Sequence, residues 1–389
     1  MSAQTYTITL GGWYQRTTLH LTELSDFFTH GVTRLNLNKQ KIQKLYEGLN
    51  LEFAVREASD LEYIKAKTNS NIGIRYYEDG LYILELESSD ITKATKDLSH
   101  YFENIFEPAI SYLFSLGAPT PKVLANIKRY HPTVVCVKSV NHQKYKIDEE
   151  YGEVYSQITS GKVTVYKTPH YIFIVSSLPN IETQSLVEAQ IFFREFKDQL
   201  EKYLQIHRYI WEEIATIKER GQIKGGEVVK LRSTLESYKT TIDLISNRIN
   251  QMGAYVGTRK SQANDLQFEK ELIHLFQYKF DTLTNTHSYI KELWKMTSDY
   301  LDAAIKVVLE VENKSTNVTI RSLQLITTVG VVSGVLGYLS KSELPKFNQI
   351  GLIYFTTLLS VTWLINSLIT LTYRRLRYKL KFSSETRNI

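Results

Sequence analysis

The chain has 389 residues, 43% hydrophobic and 23% charged, with a net charge of +6. That is enough for one sizeable soluble core plus a membrane region, or for two soluble domains. Its single cysteine, Cys136, excludes an intrachain disulfide and a Cys-rich zinc site, and in the apolar run Thr133–Val137 it is expected to pack as a small hydrophobe.

The N-terminus has neither a basic start nor a long apolar stretch, so no secretory leader is expected and the large N-terminal part is expected in the cytoplasm. From Thr5 to about Leu178 short β-rich runs alternate with helical ones. Thr5–Leu10, Ile72–Tyr77 and Leu81–Leu86 read as strands, the last two joined by a turn at Glu78, Asp79 and Gly80. Ile91–Leu116 reads as a helix with Asp90 as N-cap and a tolerated kink at Pro108. Pro132–Val140, Lys162–Lys167 and Tyr171–Leu178 read as further strands. The order of elements predicts a mixed α/β or α+β domain.

After Pro179 the pattern turns helical. Ile181–Arg220 forms one helix, and Gly225 and Gly226 break it. Leu231, Leu235, Tyr238, Ile242, Ile245, Ile249 and Met252 then repeat at heptad spacing, the signature of a coiled-coil seam or tight helical hairpin. Gly253 and Gly257 are expected to end that helix. A third is expected to begin near Thr258 and run without proline until Pro345, a rod of about 80 residues and roughly 120 Å.

Ser322–Leu339 and Ile350–Tyr373 contain no charged residue, and each is long enough to cross about 30 Å of hydrocarbon. The loop Ser340–Gln349 between them is short and carries only Lys341, Lys346 and Glu343 as charges. After the second segment come Arg374, Arg375, Arg377, Lys379 and Lys381, read as membrane-flanking anchors. This asymmetry places both termini inside the cell and the loop outside.

Stepping by alternate fours and threes from Asn313 gives Asn317, Ile320, Gln324, Thr327, Val331, Gly334 and Tyr338, one face of a helix. Asn, Gln and Thr fill half of it. Polar side chains facing lipid have no partner, so the stripe is either a helix–helix contact or the lining of a pore built from several copies.

The order of parts resembles the CorA-type superfamily of divalent-cation channels: a cytoplasmic α/β domain, a stalk helix continuing into the first span, a short outer loop, a second span and a basic tail. In sequence the likeness is confined to about Glu312–Gly351. Asn313 and Asn317 resemble the asparagines of the family's inner pore mouth, and Ser333–Tyr338 resembles the stretch leading into its Gly-Met-Asn signature. Here Gly337 is followed by Tyr338 and Leu339, so the signature is missing and the pore mouth would be Gly337, Tyr338 and Leu339. The resemblance implies a pentamer lined by its first span, with weakened Mg²⁺ selectivity. Divergent relatives without the signature occur as membrane effectors of type III CRISPR loci, which implies a nucleotide messenger as an alternative ligand.

No phosphate-binding glycine loop, dinucleotide fingerprint or metal-protease motif occurs, and no catalytic residue is expected. His131, His142 and His170 lie near the strands without ligand spacing. Asp281, Asp299 and Asp302 on the stalk fit either a solvated face or the regulatory divalent-ion sites the family carries between subunits. The basic and aromatic stretch Lys138–Tyr155 is diluted by Asp148, Glu149, Glu150 and Glu153.

The expected fold is therefore α+β, with a cytoplasmic domain over 1–180, a helical stalk over 181–319, a two-helix transmembrane hairpin over 320–373 and a basic tail over 374–389. The expected protein is an inner- or plasma-membrane ion channel, a homo-oligomer whose partners are lipid and ions. A divalent cation such as Mg²⁺, or a nucleotide, is its expected ligand. A non-conducting coiled-coil membrane anchor is the remaining alternative.

Overall fold

A computed structural model describes residues 4–14, 20–58, 61–114, 132–219, 222–265, 267, 269–276, 280–339, 349–375 and 377–379. The fold is α+β and divides into two compact units, Met1–Ile206 with Leu244–Leu293, and His207–Asp243 with Trp294–Ile389.

The first unit is built on a nine-stranded sheet. Its strands are β1 (Tyr6–Trp13), β2 (Leu51–Glu57), β3 (Tyr63–Thr68), β4 (Gly73–Tyr77), β5 (Leu81–Ser88), β6 (Thr133–Lys138), β7 (Ser156–Ser160), β8 (Val163–Lys167) and β9 (Tyr171–Ser176). They lie in the order β2-β3-β4-β5-β1-β6-β9-β8-β7. Every pairing is antiparallel except β6 with β9. Four successive residues of β5, Leu81 to Leu84, are all buried, as a strand covered on both faces requires. One face carries α1 (Leu21–His30), α2 (Lys39–Leu49), α3 (Ile91–Tyr101) and α4 (Glu107–Phe114), whose Phe27, Phe28, Leu98, Phe106 and Ile110 form the core with Ile8, Ile74 and Leu84. Against the other lies the start of α5 (Asn180–Glu219), where Phe192 meets Trp13 at 5.0 Å between ring centroids.

The expected strands at Thr5, Ile72, Leu81, Pro132, Lys162 and Tyr171 all form. Asp90 caps α3, its Oδ1 accepting from the Lys93 amide at 2.8 Å. The helix expected over Ile91–Leu116 is interrupted: Phe102–Phe106 forms a π turn just before Pro108. Proline cannot donate to the preceding turn, and the widened turn absorbs the missing bond.

Two further expectations are corrected. The heptad helix α6 runs over Val228–Asp265, straight through Gly253 and Gly257. Gly253 is a close-approach residue: a Cβ there would come within 2.9 Å of the His287 ring, whose Nε2 meets the Ile249 carbonyl oxygen at 2.6 Å. The chain instead turns near Gln267, at φ 59°, and forms the short α7 (Glu269–Phe276). The stalk helix α8 therefore starts at Phe280 rather than near Thr258, and extends to Leu339. Its 60 residues span about 90 Å.

The β4–β5 turn anchors α6 to the sheet. Gly80 has φ 90°, which an L side chain rarely adopts. Asp79 beside it is fully buried, and its carboxylate accepts from the Leu81 amide at 3.1 Å. The Arg259 guanidinium of α6 reaches the same carboxylate at 2.7 and 3.1 Å and lies 4.6 Å from the centroid of the Tyr77 ring. Burial opposes the charge on Arg259, but Asp79 outweighs it and raises the guanidinium pKa further. Because both charges are out of water, Arg259→Met should strand Asp79 and destabilise the protein by about 3–5 kcal/mol. Chemical denaturation followed by circular dichroism checks this, and a loss under 1 kcal/mol, as for an exposed pair, would show the pair is solvated.

Candidate pore helix

The second unit is a helical bundle of the end of α5, the start of α6, α8 from Trp294 onward and α9 (Gln349–Arg375). On α8 the buried residues Trp294, Thr297, Leu301, Ala304, Val308 and Val311 recur in steps of three and four. Ile210, Ile214 and Ile217 of α5 and Leu235 and Ile242 of α6 are buried with them. The expected heptad seam on α6 is therefore a packing seam within one chain.

Polar contacts fix the register of the three helices. The Lys239 ammonium donates to Ser298 at 2.7 Å and to Asp302 at 2.9 Å. Burial disfavours its charge, but Asp302 and Asp243 more than compensate and hold the pKa above the usual lysine value. Arg232 meets Glu312 at 2.9 Å, and its hydrogen bond to that carboxylate raises its pKa. His207 contacts the Thr297 hydroxyl at 2.7 Å, and Trp211 lies against Tyr300 with ring centroids 5.3 Å apart.

The opposite face of α8 is uncovered. Met296, Asp299, Ala303, Lys306, Glu310, Asn313 and Asn317 follow the same steps and are all exposed. This row continues without a break into the stripe read from the sequence, where Ile320, Gln324, Thr327, Val331 and Gly334 are exposed as well. Gly337 is exposed, and Tyr338 and Leu339 belong to the helix, although their side chains lie outside the described set. Glu310 pairs with Lys314 at 2.7 Å along the helix, which lowers its pKa.

Above Ile320 the described side chains of the helix are exposed apart from half-buried Ile326, Leu323, Leu325, Val329 and Val332 among them. On α9, Ile353, Val361, Trp363, Leu364 and Leu368 are equally uncovered. The hydroxyls here bond within their own helices: Thr327 donates to the Leu323 carbonyl at 2.8 Å, and Thr357 and Thr372 donate in the same way at 2.7 and 2.8 Å. Among the described residues no helix is long and apolar enough to cross a membrane.

Several sequence-singled residues have other roles. Asp302 belongs to the Lys239 contact and Asp281 lies 3.7 Å from Lys260, while Asp299 stays on the uncovered row. His142 is buried, with Nδ1 2.9 Å from the Thr164 hydroxyl, His170 is exposed, and His131 lies outside the described residues. Among the described residues no group of His, Cys, Asp and Glu could hold a metal. Cys136 is half-buried, and burial raises its thiol pKa. Tyr145 and Tyr151 from the basic and aromatic stretch pack onto the sheet core, Tyr151 lying 5.6 Å from Phe173 between ring centroids.

The loop Ser340–Gln349 falls outside the described residues apart from Gln349, as does Lys381. Arg374 and Arg375 end α9. Arg377 and Lys379 lie in a short strand, β11 (Arg377–Lys379), paired with β10 (Gln222–Lys224) in the turn between α5 and α6. Sequence reading missed this ribbon, since three-residue strands carry no pattern. Compared with known proteins, the chain matches no family model and no curated relative.

Proposed function

We propose that the chain is a two-span membrane ion channel of CorA type, assembled as a closed homo-oligomer of five copies and opened by its soluble domain. The observation that carries this reading is the division of α8 into two faces. One face is spent on the chain's own α5 and α6; the other stays bare from Met296, carries Asp299, Lys306 and Glu310, and continues through Asn313, Asn317, Gln324 and Thr327. A ring of identical helices would gather such rows around a common axis and leave water on it.

The membrane assignment rests on the full sequence of the same helices. Ser322–Leu339 and Ile350–Tyr373 hold no charge, and the 27 residues of α9 measure about 40 Å, more than the hydrocarbon thickness. Hydroxyls bonded back to their own helix are compatible with lipid. A second reading, a nucleotide-gated membrane effector of a type III CRISPR locus on the same scaffold, is favoured by one feature: Tyr338 and Leu339 stand where the Mg²⁺-selective signature would be. Flux that begins only when a nucleotide messenger is added distinguishes it.

Topology is testable first. In a Cys136→Ser background, Ser342→Cys should react with an impermeant thiol reagent from outside the cell and Ser384→Cys should not. Reversed labelling would overturn the orientation, and labelling of neither site in intact or opened cells would remove the outer loop.

Gln324 is the sharper test. Thr327 satisfies its own hydroxyl, whereas the Gln324 amide must find water or another helix. In a wet pore, Gln324→Leu should lower flux through proteoliposomes by dewetting while the oligomeric mass is unchanged. If the amide instead joins helices, the change should cost about 1–3 kcal/mol of assembly, and flux should fall only as the oligomer dissociates. Intact assembly with unchanged flux, or a protein that is monomeric throughout, would remove the pore and leave a membrane anchor.

A further inference from the structure

We infer that Glu85 and Glu188 share one proton as well as one guanidinium, which makes the layer between the sheet and the start of α5 a proton-binding site that holds α5 more firmly in mild acid. The inference concerns the first unit alone and stands apart from the membrane reading. The register sets Arg75 of β4 diagonally across from Glu85 of β5. The guanidinium donates twice to Glu85, at 2.8 and 2.5 Å, and its Nε lies 2.9 Å from Glu188 of α5. The Gln184 amide lies against the same fork. The Arg75 and Glu188 side chains are only 12% exposed and that of Glu85 20%. One cation thus serves two carboxylates where water screens little, and a proton on either carboxylate removes the surplus charge.

Among the described residues no neighbouring charge supplies a second buried cation. Lys65 of β3 stands directly across from Arg75 but is exposed, as is Lys138 of β6. On α6 Arg259 is taken by Asp79, and on α5 Arg194 is taken by Glu195. Glu87 of β5 is exposed and adds negative charge. Tyr63 and Tyr77 face the cluster as neutral phenols and Cys136 as a neutral thiol, burial raising all three. Burial likewise holds the Glu85 carboxyl above the usual carboxylate range, although Arg75 pulls the other way. Thr9 of β1, directly across from Glu85, is buried with an unpartnered hydroxyl. A protonated Glu85 keeps one oxygen for Arg75 and offers that hydroxyl a donor.

A carboxyl whose pKa is raised by folding gives stability that is full below its unfolded value, about 4, and is lost as pH rises through the folded value. A carboxylate that serves only as an ion-pair acceptor does the reverse. The test compares the melting of full-length wild type and Glu85→Gln in detergent from about pH 4.5 to about pH 8. Glutamine imitates the protonated acid, so the variant should gain on the wild type as pH rises, by up to roughly tenfold in folding equilibrium per pH unit for one proton. In a Glu188→Gln background Arg75 and Glu85 stand one to one, and the same comparison should flatten or reverse. If Glu85→Gln does not fold, infrared difference spectra of the wild type over this range should show a protonated-carboxyl band that weakens in Glu188→Gln, and an equal band in both overturns the inference. A wild type that loses ground to Glu85→Gln as pH falls would make Glu85 an ordinary ion-pair partner and overturn it. So would a difference that stays constant across the range, or a trend that persists unaltered in the Glu188→Gln background.

Discussion

Trp294, Thr297, Leu301, Ala304, Val308 and Val311 bury one side of α8 against the chain's own α5 and α6. A helix side chain row at this spacing drifts little over about five turns, so covering one face fixes which face is left over. The leftover face is the one that runs into Asn313, Asn317 and Gln324. Ion contacts at Lys239 and Arg232 act on the same rotation: each ties α6 to the flank of the seam, at Asp302 and Glu312, so α8 cannot turn its polar row inward without breaking them. The orientation of the stripe is therefore a consequence of intrachain packing and does not depend on whether other copies are present.

The sequence was readable wherever a pattern repeats over several turns or strands. The heptad residues of α6 and the polar stripe of α8 were legible for that reason, and β4 and β5 because a Glu-Asp-Gly turn separates two β-branched and aromatic runs. Strands β2 and β7 were not legible: half or more of β2 faces solvent, and Ser156–Ser160 is largely polar, as edge strands are. Gly253 illustrates a different limit. Glycine breaks helices and also admits close neighbours, and only the position of His287, far along the chain, decides between the two. The shorter stalk follows from that one misreading.

Buried charge divides the two units by purpose. In the first, Arg259 and Asp79 are both sealed from water, and Arg75 joins Glu85 and Glu188 nearby with little exposure. Removing one partner from such contacts leaves a charge with no solvent to fall back on, so they fix how α5 and α6 lie on the sheet. In the second unit the pairs are partly exposed and individually weak, and the apolar seam carries the cohesion. A bundle held mainly by an apolar seam can slide or rotate by small amounts more readily than one held by buried directional pairs.

The short turn between α5 and α6 gathers the consequences. Its strand Gln222–Lys224 pairs with the chain leaving α9, and Arg232 a little further on holds Glu312 on α8. One end of each apolar helix is thus tied to one segment of about ten residues, by backbone hydrogen bonds on one side and a charge-assisted hydrogen bond on the other. Backbone pairing is hard to shear without losing all of its bonds together, whereas a single exposed ion pair opens at little cost. A displacement of the turn would accordingly drag α9 with it and release α8 first. If the bare row of α8 lines an axis, the turn acts on that helix through the weaker tie and on α9 through the stronger one.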